Sequence, residues 1–394
     1  MKLLLGAFGD PGHAFPMLAL GEALVARGHD VALQTWRRWQ DPAEAAGMTF
    51  AAAPEYQVFP TRERPLKPYA AAVRAAAETQ PVVRSFAPDV VVSDILTPAP
   101  ALAAELEAVP VVTLVPHVFP HLPPGFPPYA IGARLPRTGA GRALWRQTDR
   151  LVARGLEQGR REYNECRARL GLGPLPYVHT GLSRALTLVA TLPQLEYPRD
   201  WPAWLRVVGP QLWEPPGERV DPPSGDGPVV LVAPSTAQDP EHRLLRAALA
   251  GLAGERVRVI ATFNGREPDP PVAVPGNAVL VPWLSYSQTM PACDLVVTHG
   301  GHGTLMRAFA VGCPVVVCPA GGDMAENAAR VDWAGLGVRL PRRFGTPRGV
   351  RLAVRRALAR RELRVRAAGA ARWAAAHDGG VRAAEAVERW AGAR

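Results

Sequence analysis

The stretch "VVTHGGHGTLMRAFAVGCPVVVCPAGGDMAEN", Val296 to Asn327, decides the fold. Val296-Val297-Thr298 closes an apolar run that reads as a buried strand, Leu305 to Val311 has helical spacing, and Pro314 to Cys318 reads as the next strand. Between strand and helix the chain places His299, Gly300, Gly301, His302, Gly303 and Thr304. A helix that starts directly after a parallel strand aims its unpaired N–H groups at the crevice above the sheet. Gly301 and Gly303 carry no Cβ, so an anion can approach the backbone; Thr304 adds a hydroxyl and His299 a ring donor. The helix dipole favours negative charge there by ~0.3–1 kcal/mol, and by up to ~2 kcal/mol when partly buried. These features converge on a phosphate or pyrophosphate. The absence of a Walker lysine and of a GxGxxG turn argues against an ATPase or a dehydrogenase.

Working outward, strand and helix patterns alternate along most of the chain. "KLLLGAFG" reads as a strand, "DPGH" as a turn, "AFPMLALGEALVARG" as a helix stopped by Gly28, and "HDVALQTW" as a strand. "PDVVVSD", "PALAAELEA" and "PVVTLVP" repeat the pattern. It dissolves over residues 116–145, whose prolines and aromatics suit irregular loops over a pocket, and a helix is expected over about 142–170. Pro, Gly and charge dominate residues 209–228, and the alternation then restarts with "VVLVAPS", a helix over 241–253, "VRVIATF" and "AVLVPWL". The expected class is α/β, with two doubly wound Rossmann-like domains facing across a cleft. The boundaries read as 1–208, a linker at 209–228, a second domain at 229–372, and a last helix at 373–394 returning to the first domain.

The 394 residues are too many for one typical core. Arginine supplies nearly all of the +10 net charge, and fifteen arginines lie between Arg339 and Arg394 at helical spacing. A solvated helix face accounts for them; the competing reading is weak peripheral attraction to acidic membrane, and no nucleic-acid motif accompanies them. No apolar run approaches the ~20 residues of a membrane span. Gly9-Asp10-Pro11-Gly12 interrupts the apolar residues 3–8, so no secretory signal is expected. Cys166, Cys293, Cys313 and Cys318 lack metal-ligand spacing and fit buried thiols in a reducing cytoplasm.

"HGGHGTLMRAFAVGCPVVVCPAGGDMAENAARV" resembles the donor-binding signature of nucleotide-diphosphate-sugar glycosyltransferases of the GT-B fold, in the branch of bacterial natural-product and plant secondary-metabolite enzymes. "GDPGHAFPMLALGEALVARGHDV", "PDVVVSDILTPAPALAAELEAVP" and "VAPSTAQDP" are similar to the same family in the same order. The resemblance implies that His299, Gly301, Gly303 and Thr304 hold the diphosphate, with Ser235 and Thr236 as further phosphate contacts. It places Trp283 where an aromatic stacks on the nucleobase and the Leu284 backbone where the base edge is read, although Trp283 also suits a core position. Asp323 matches a residue that binds sugar hydroxyls; its usual glutamine neighbour is Met324, which suggests a less polar sugar. Asn327 fits ligand contact or helix capping equally well.

Sugar transfer requires that the acceptor lose a proton and that the leaving diphosphate be stabilised. His13, at the first strand-to-helix turn, is the expected general base, and Asp94, ending a strand of the same domain, its orienting partner; Asp94 also suits a capping role near Thr97. His117, Phe119, His121 and Phe126 are acceptor-side candidates, with pocket packing as an equal explanation for the histidines. The expected reaction is transfer with inversion from a UDP- or dTDP-sugar to a nucleophile, expected to be a hydroxyl, on a small hydrophobic acceptor, with no metal and no further cofactor. The competing functions are a membrane-surface lipid or carotenoid glycosyltransferase, a sugar-nucleotide epimerase on the same fold, and a nucleotide-sugar-binding helper without catalysis. Sugar, base, acceptor, linkage atom and oligomeric state stay open.

Overall fold

The computed structural model describes residues 1–53, 70–177, 182–235 and 239–394. Two parallel sheets organise it. The first contains β1 (Lys2–Gly6), β2 (Asp30–Thr35), β3 (Thr49–Ala52), β4 (Val90–Asp94), β5 (Val111–Val115), β6 (Thr187–Val189) and β7 (Leu205–Val207), in the order β3-β2-β1-β4-β5-β6-β7. The second contains β8 (Val229–Ala233), β9 (Arg258–Thr262), β10 (Ala278–Val281), β11 (Leu295–Thr298), β12 (Val315–Val317) and β13 (Gly337–Arg339), in the order β10-β9-β8-β11-β12-β13. Every strand pairing is parallel among the described residues.

The helices covering the first sheet are α1 (Pro11–Ala26), α2 (Gln40–Ala45), α3 (Ala70–Phe86), α4 (Pro98–Leu106) and α5 (Gly139–Arg169). Those of the second are α6 (Arg243–Leu252), α7 (Tyr286–Thr289), α8 (His302–Ala310), α9 (Asp323–Ala334), α10 (Pro347–Ala359) and α11 (Arg361–Ala376), followed by α12 (Gly379–Gly392). Strands buried on both faces read as unbroken apolar runs, because alternate residues enter different cores. In β1, Leu3 and Leu5 pack in the cluster with α1, whereas Leu4 packs on the opposite side with Val83 and Ala103. In β8, Val229 and Leu231 face Leu305 and Phe309, while Val230 and Val232 face Leu245 and Val354.

Strand order reverses between β1 and β4 in one sheet and between β8 and β11 in the other. In open α/β sheets such reversals leave a crevice at the carboxyl ends of the strands, where ligands bind. His13 follows β1 and Asp94 ends β4; Ser235 follows β8 and His299 follows β11. The four residues therefore stand at the two switch points.

Several expected boundaries move. The helix expected over 142–170 spans Gly139–Arg169, because the Thr138 side chain accepts a hydrogen bond from Gly141 N and starts the helix on a glycine-rich turn. The helix expected over 241–253 spans Arg243–Leu252, where Asp239 accepts from the Arg243 and Leu244 amides. α11 runs unbroken through position 373, so the returning helix begins only at α12, whose first turn is capped by Asp378 accepting from Val381 N. α12 then packs Ala383, Ala384 and Val387 into the first sheet's core beside α1. Its Glu388 accepts from Arg27 Nε at 2.8 Å and from His29 Nε2 at 2.7 Å.

No helix or strand occupies residues 209–228, yet the segment is held on both sides. Trp213 packs on Phe15 at 4.9 Å and donates to Glu22 Oε1 at 2.7 Å, both on α1. Its neighbour Glu214 accepts from Ser285 Oγ at 2.6 Å and from Arg307 Nε at 3.1 Å in the second domain. All four cysteines are free thiols, and no described helix is long and apolar enough to cross a membrane.

Candidate active site

His13 lies in the first turn of α1, where its amide bonds back to Asp10 O. Its Nδ1 donates to Asp94 Oδ1 at 2.9 Å, and Asp94 Oδ2 accepts from Phe8 N at 3.3 Å. Asp94 therefore does not cap α4, whose N-cap is Thr97 without a side-chain bond. The Asp94 side chain is 1% exposed and that of His13 16%, so the carboxylate is sealed while the imidazole still reaches solvent. A carboxylate only accepts, so Nδ1 carries the proton and Nε2 keeps its lone pair as the basic nitrogen. Burial pushes the His13 pKa down, but the Asp94 charge and hydrogen bond, with smaller help from Asp10 and Asp323, outweigh it and leave the pKa above the ordinary histidine value.

The second half of the site is the turn quoted at the outset. α8 begins at His302, three residues earlier than its sequence pattern suggests, so Gly303 and Thr304 belong to its first turn. The N-cap is Gly301, with no side chain to occupy the first amides, and they stay available to a ligand. A Cβ on Gly301 would lie 2.4 Å from His299 Nε2, so the missing methyl lets the ring rest over the helix start. Gly300 takes φ +92°, and a Cβ there would meet Val317 Cγ1 at 2.8 Å. Asn327 Nδ2 donates to Gly300 O at 2.9 Å, so this side chain braces the turn from α9.

The histidines around the cleft are set differently. His299 Nδ1 faces Ala233 O at 3.3 Å, and burial lowers its pKa. His117 Nδ1 donates to Val118 O at 2.8 Å; burial lowers its pKa too, and its ring stands 6.4 Å from that of His13. His302 Nε2 donates across the cleft to Ala190 O at 3.1 Å, and burial drives its pKa down to about 3, so it is a neutral inter-domain tie. Asp323, half-buried at the start of α9, exerts its charge on His13, His117, Tyr129 and His299, which places it between the two halves of the site. Its neighbour Met324 is half-buried beside it, with its carbonyl against the Gly300 turn.

The remaining sequence candidates separate. Trp283 is 42% exposed and free to offer a ring face, whereas the Leu284 side chain is 3% exposed in the second domain's core. Ser235 is buried after β8, and Thr236 lies outside the described residues. Of the acceptor-side candidates, only His117 adjoins His13. Phe119 sits in a core cluster with Val115 and Val189, and the His121 ring lies on Phe119 at 5.5 Å. Phe126 packs on Tyr197 at 5.9 Å.

Sequence reading missed the charged residues that hold the halves together. Arg330 is fully buried, with Nη1 donating to Glu196 Oε2 at 2.7 Å and Nε to Glu326 Oε1 at 2.9 Å. Arg307 joins α8 to the linker through Glu214 and the Trp213 carbonyl. The i,i+4 spacing of Glu326 and Arg330 was the one local signal, and it could not disclose the partner on the other domain.

The family described as "Erythromycin biosynthesis protein CIII-like, C-terminal domain" matches residues 245–388. The chain is 29% identical to 4'-demethylrebeccamycin synthase of Lentzea aerocolonigenes, over 98% of this chain and 99% of that one. It is also 29% identical to O-mycaminosyltylonolide 6-deoxyallosyltransferase of Streptomyces fradiae, over 100% and 98% of the two chains. The fold is similar to that of CalG4, the calicheamicin glycosyltransferase, with a TM-score of 0.74 at 23% identity, covering 99% of this chain and 98% of that one. It is equally similar to VinC in complex with dTDP, with a TM-score of 0.74 at 19% identity over the whole of both chains. The two parallel-sheet domains have the GT-B fold of these solved glycosyltransferases, and along its full length the chain is similar to natural-product glycosyltransferases.

Proposed function

We propose that the chain transfers a sugar, with inversion, from a UDP- or dTDP-sugar to a hydroxyl of a small hydrophobic acceptor, using His13 as general base and Asp94 as its partner. The observation that carries this reading is the His13–Asp94 pair at one switch point facing an uncapped helix start and His299 at the other. His13 Nε2 takes the proton as the acceptor oxygen attacks the anomeric carbon from the face opposite the diphosphate. Asp94 holds the ring in the tautomer that presents Nε2 and stabilises the imidazolium once formed. The charge that develops on the departing diphosphate meets the α8 amides, the Thr304 hydroxyl and His299. In this reading the leaving group is held without a metal. Trp283 offers its exposed ring to the base, and Asp323 a carboxylate to sugar hydroxyls.

A dTDP-linked deoxysugar is the favoured donor. One relative's name specifies a 6-deoxyallosyl group, one structural neighbour is a dTDP complex, and Met324 offers a thioether where a hydroxyl-rich sugar needs a hydrogen-bonding partner. The test is turnover of UDP- and dTDP-sugars with a panel of polycyclic and macrolide aglycones, comparing wild type with His13→Ala. Transfer that depends on His13 and gives a product of inverted anomeric configuration is expected. Equal transfer by His13→Ala refutes the base assignment, and NDP-sugar turnover without any acceptor favours an epimerase.

A further inference from the structure

The proline-rich loop of residues 116–134 belongs to the first domain by sequence, yet it rides on α9 of the second. Gly132 lies so close to α9 that a Cβ on it would fall 2.8 Å from Ala325 Cβ. Ala130, held at φ +68°, donates its amide to Glu326. Arg134 Nε pairs with Asp332 Oδ2 at 2.9 Å. The centre of this seam is Arg330. Besides Glu196 and Glu326, its guanidinium donates to Leu195 O at 3.0 Å and to Phe119 O at 3.2 Å, while Tyr197 lies 4.4 Å beneath it. The second oxygen of Glu196 accepts from Phe119 N at 2.7 Å, so both main-chain groups of Phe119 are tied to this one ion pair.

The same helix reaches the diphosphate turn. Asn327, three residues before Arg330 and on the same side of α9, holds Gly300 O, and Gly300 precedes the N-cap of α8. The turn and Phe119 are therefore joined through α9: a hydrogen bond links Gly300 to Asn327, one helical turn carries Asn327 to Arg330, and further hydrogen bonds link Arg330 to Glu196 and the Phe119 backbone. His117, which adjoins His13, is two residues from Phe119. Buried ion pairs often return little net stability over an apolar replacement of similar volume, and one well-attested use of such pairs is to fix geometry. The planar guanidinium serves four acceptors in fixed directions, which the single ammonium of lysine cannot reproduce.

We propose that Arg330 is a positioning residue that couples the diphosphate turn to the acceptor loop, so that nucleotide binding at α8 orders residues 116–134 before the acceptor is engaged. This rests on the reading of α8 as the diphosphate site. Hydrogen–deuterium exchange of the full chain, with and without saturating dTDP or UDP, tests both separately. In wild type the nucleotide slows exchange in residues 300–310 and, at least fivefold, at the amides of Phe119 and Ala130. In Arg330→Lys the protection of 300–310 persists while that of Phe119 and Ala130 falls to less than twofold. Protection of 300–310 alone in wild type overturns the coupling, as does loop protection unchanged in Arg330→Lys. No protection of 300–310 with either nucleotide refutes the diphosphate reading instead. If the lysine variant does not fold, the wild-type comparison decides, and Glu196→Gln, which keeps an acceptor for Phe119 N, supplies the second variant, with the same loss of loop protection expected.

Discussion

Asp94 Oδ1 lies 2.9 Å from His13 Nδ1, joining the end of β4 to the helix that follows β1, its neighbour across the switch point. The contact sits where the sheet order reverses, so that the two strand ends open onto one crevice. Removing the proposed base while leaving the pocket should cost about 10²–10⁴-fold in transfer rate. His13→Ala is expected to show that loss with nucleotide affinity unchanged within about twofold, read by steady-state kinetics and calorimetry.

The pH profile follows from the same pair. With His13 as the proposed base, transfer needs its ring neutral, and Asp94 holds its pKa above the ordinary value, so activity should rise with pH through a midpoint above about 6.5. Asp94→Asn removes the charge that raises it, so the acid limb moves to lower pH even as the maximal rate falls. The sign for stability is opposite. A raised folded-state pKa contributes stability that is complete below the unfolded value and lost as pH rises through the folded one. A midpoint in Asp94→Asn equal to or above that of wild type contradicts the assignment.

Nucleotide binding should take up a proton. His299 Nδ1 faces a carbonyl oxygen, which only accepts, so the neutral ring keeps its hydrogen there and presents a lone pair at Nε2. Burial lowers the His299 pKa, so the empty site is neutral near pH 7, and Nε2 can donate to a phosphate oxygen only after protonation. dTDP affinity should therefore increase as pH falls from 8 to 6, with proton uptake visible as a buffer-dependent enthalpy. His299→Ala should abolish the uptake; an unchanged enthalpy across buffers in wild type shows that His299 does not gain charge.

Gly301→Ala tests close approach without backbone strain, because Gly301 has φ −59°. The added methyl would fall 2.4 Å from His299 Nε2 and must displace the ring. Nucleotide affinity should drop at least tenfold while the melting temperature changes by less than about 3 °C, since alanine replaces a helix-capping glycine at a cost of a few tenths of a kcal/mol to about 1 kcal/mol. A variant that binds as wild type does would show that the ring is not part of the site.

The parts of the molecule legible in the sequence are those whose signals are local. Apolar runs such as Leu3-Leu4-Leu5 and Val296-Val297 announce doubly covered strands, and the alternation around them announces the two-sheet architecture. The start of α8 was hidden because glycine and histidine are poor helix formers, and only the fold shows that they form its first turn. Glu196 and Arg330 are 134 residues apart, and Glu214 and Ser285 are 71 apart. No periodicity links such pairs; they are chosen by how the two domains meet. The loop around Phe119 also depends on distant partners. Its aromatic composition fits a pocket wall, but the apolar surface beside β6 is the nearer partner for Phe119, and its backbone is held by Glu196 and Arg330.

Calorimetric titration of dTDP and UDP into wild type, Gly301→Ala, His299→Ala and His13→Ala tests the placement of the diphosphate most directly. Binding of at least one nucleotide that is weakened at least tenfold by both second-domain variants and untouched by His13→Ala is the predicted result. Loss of binding in His13→Ala with full affinity in Gly301→Ala and His299→Ala would contradict it.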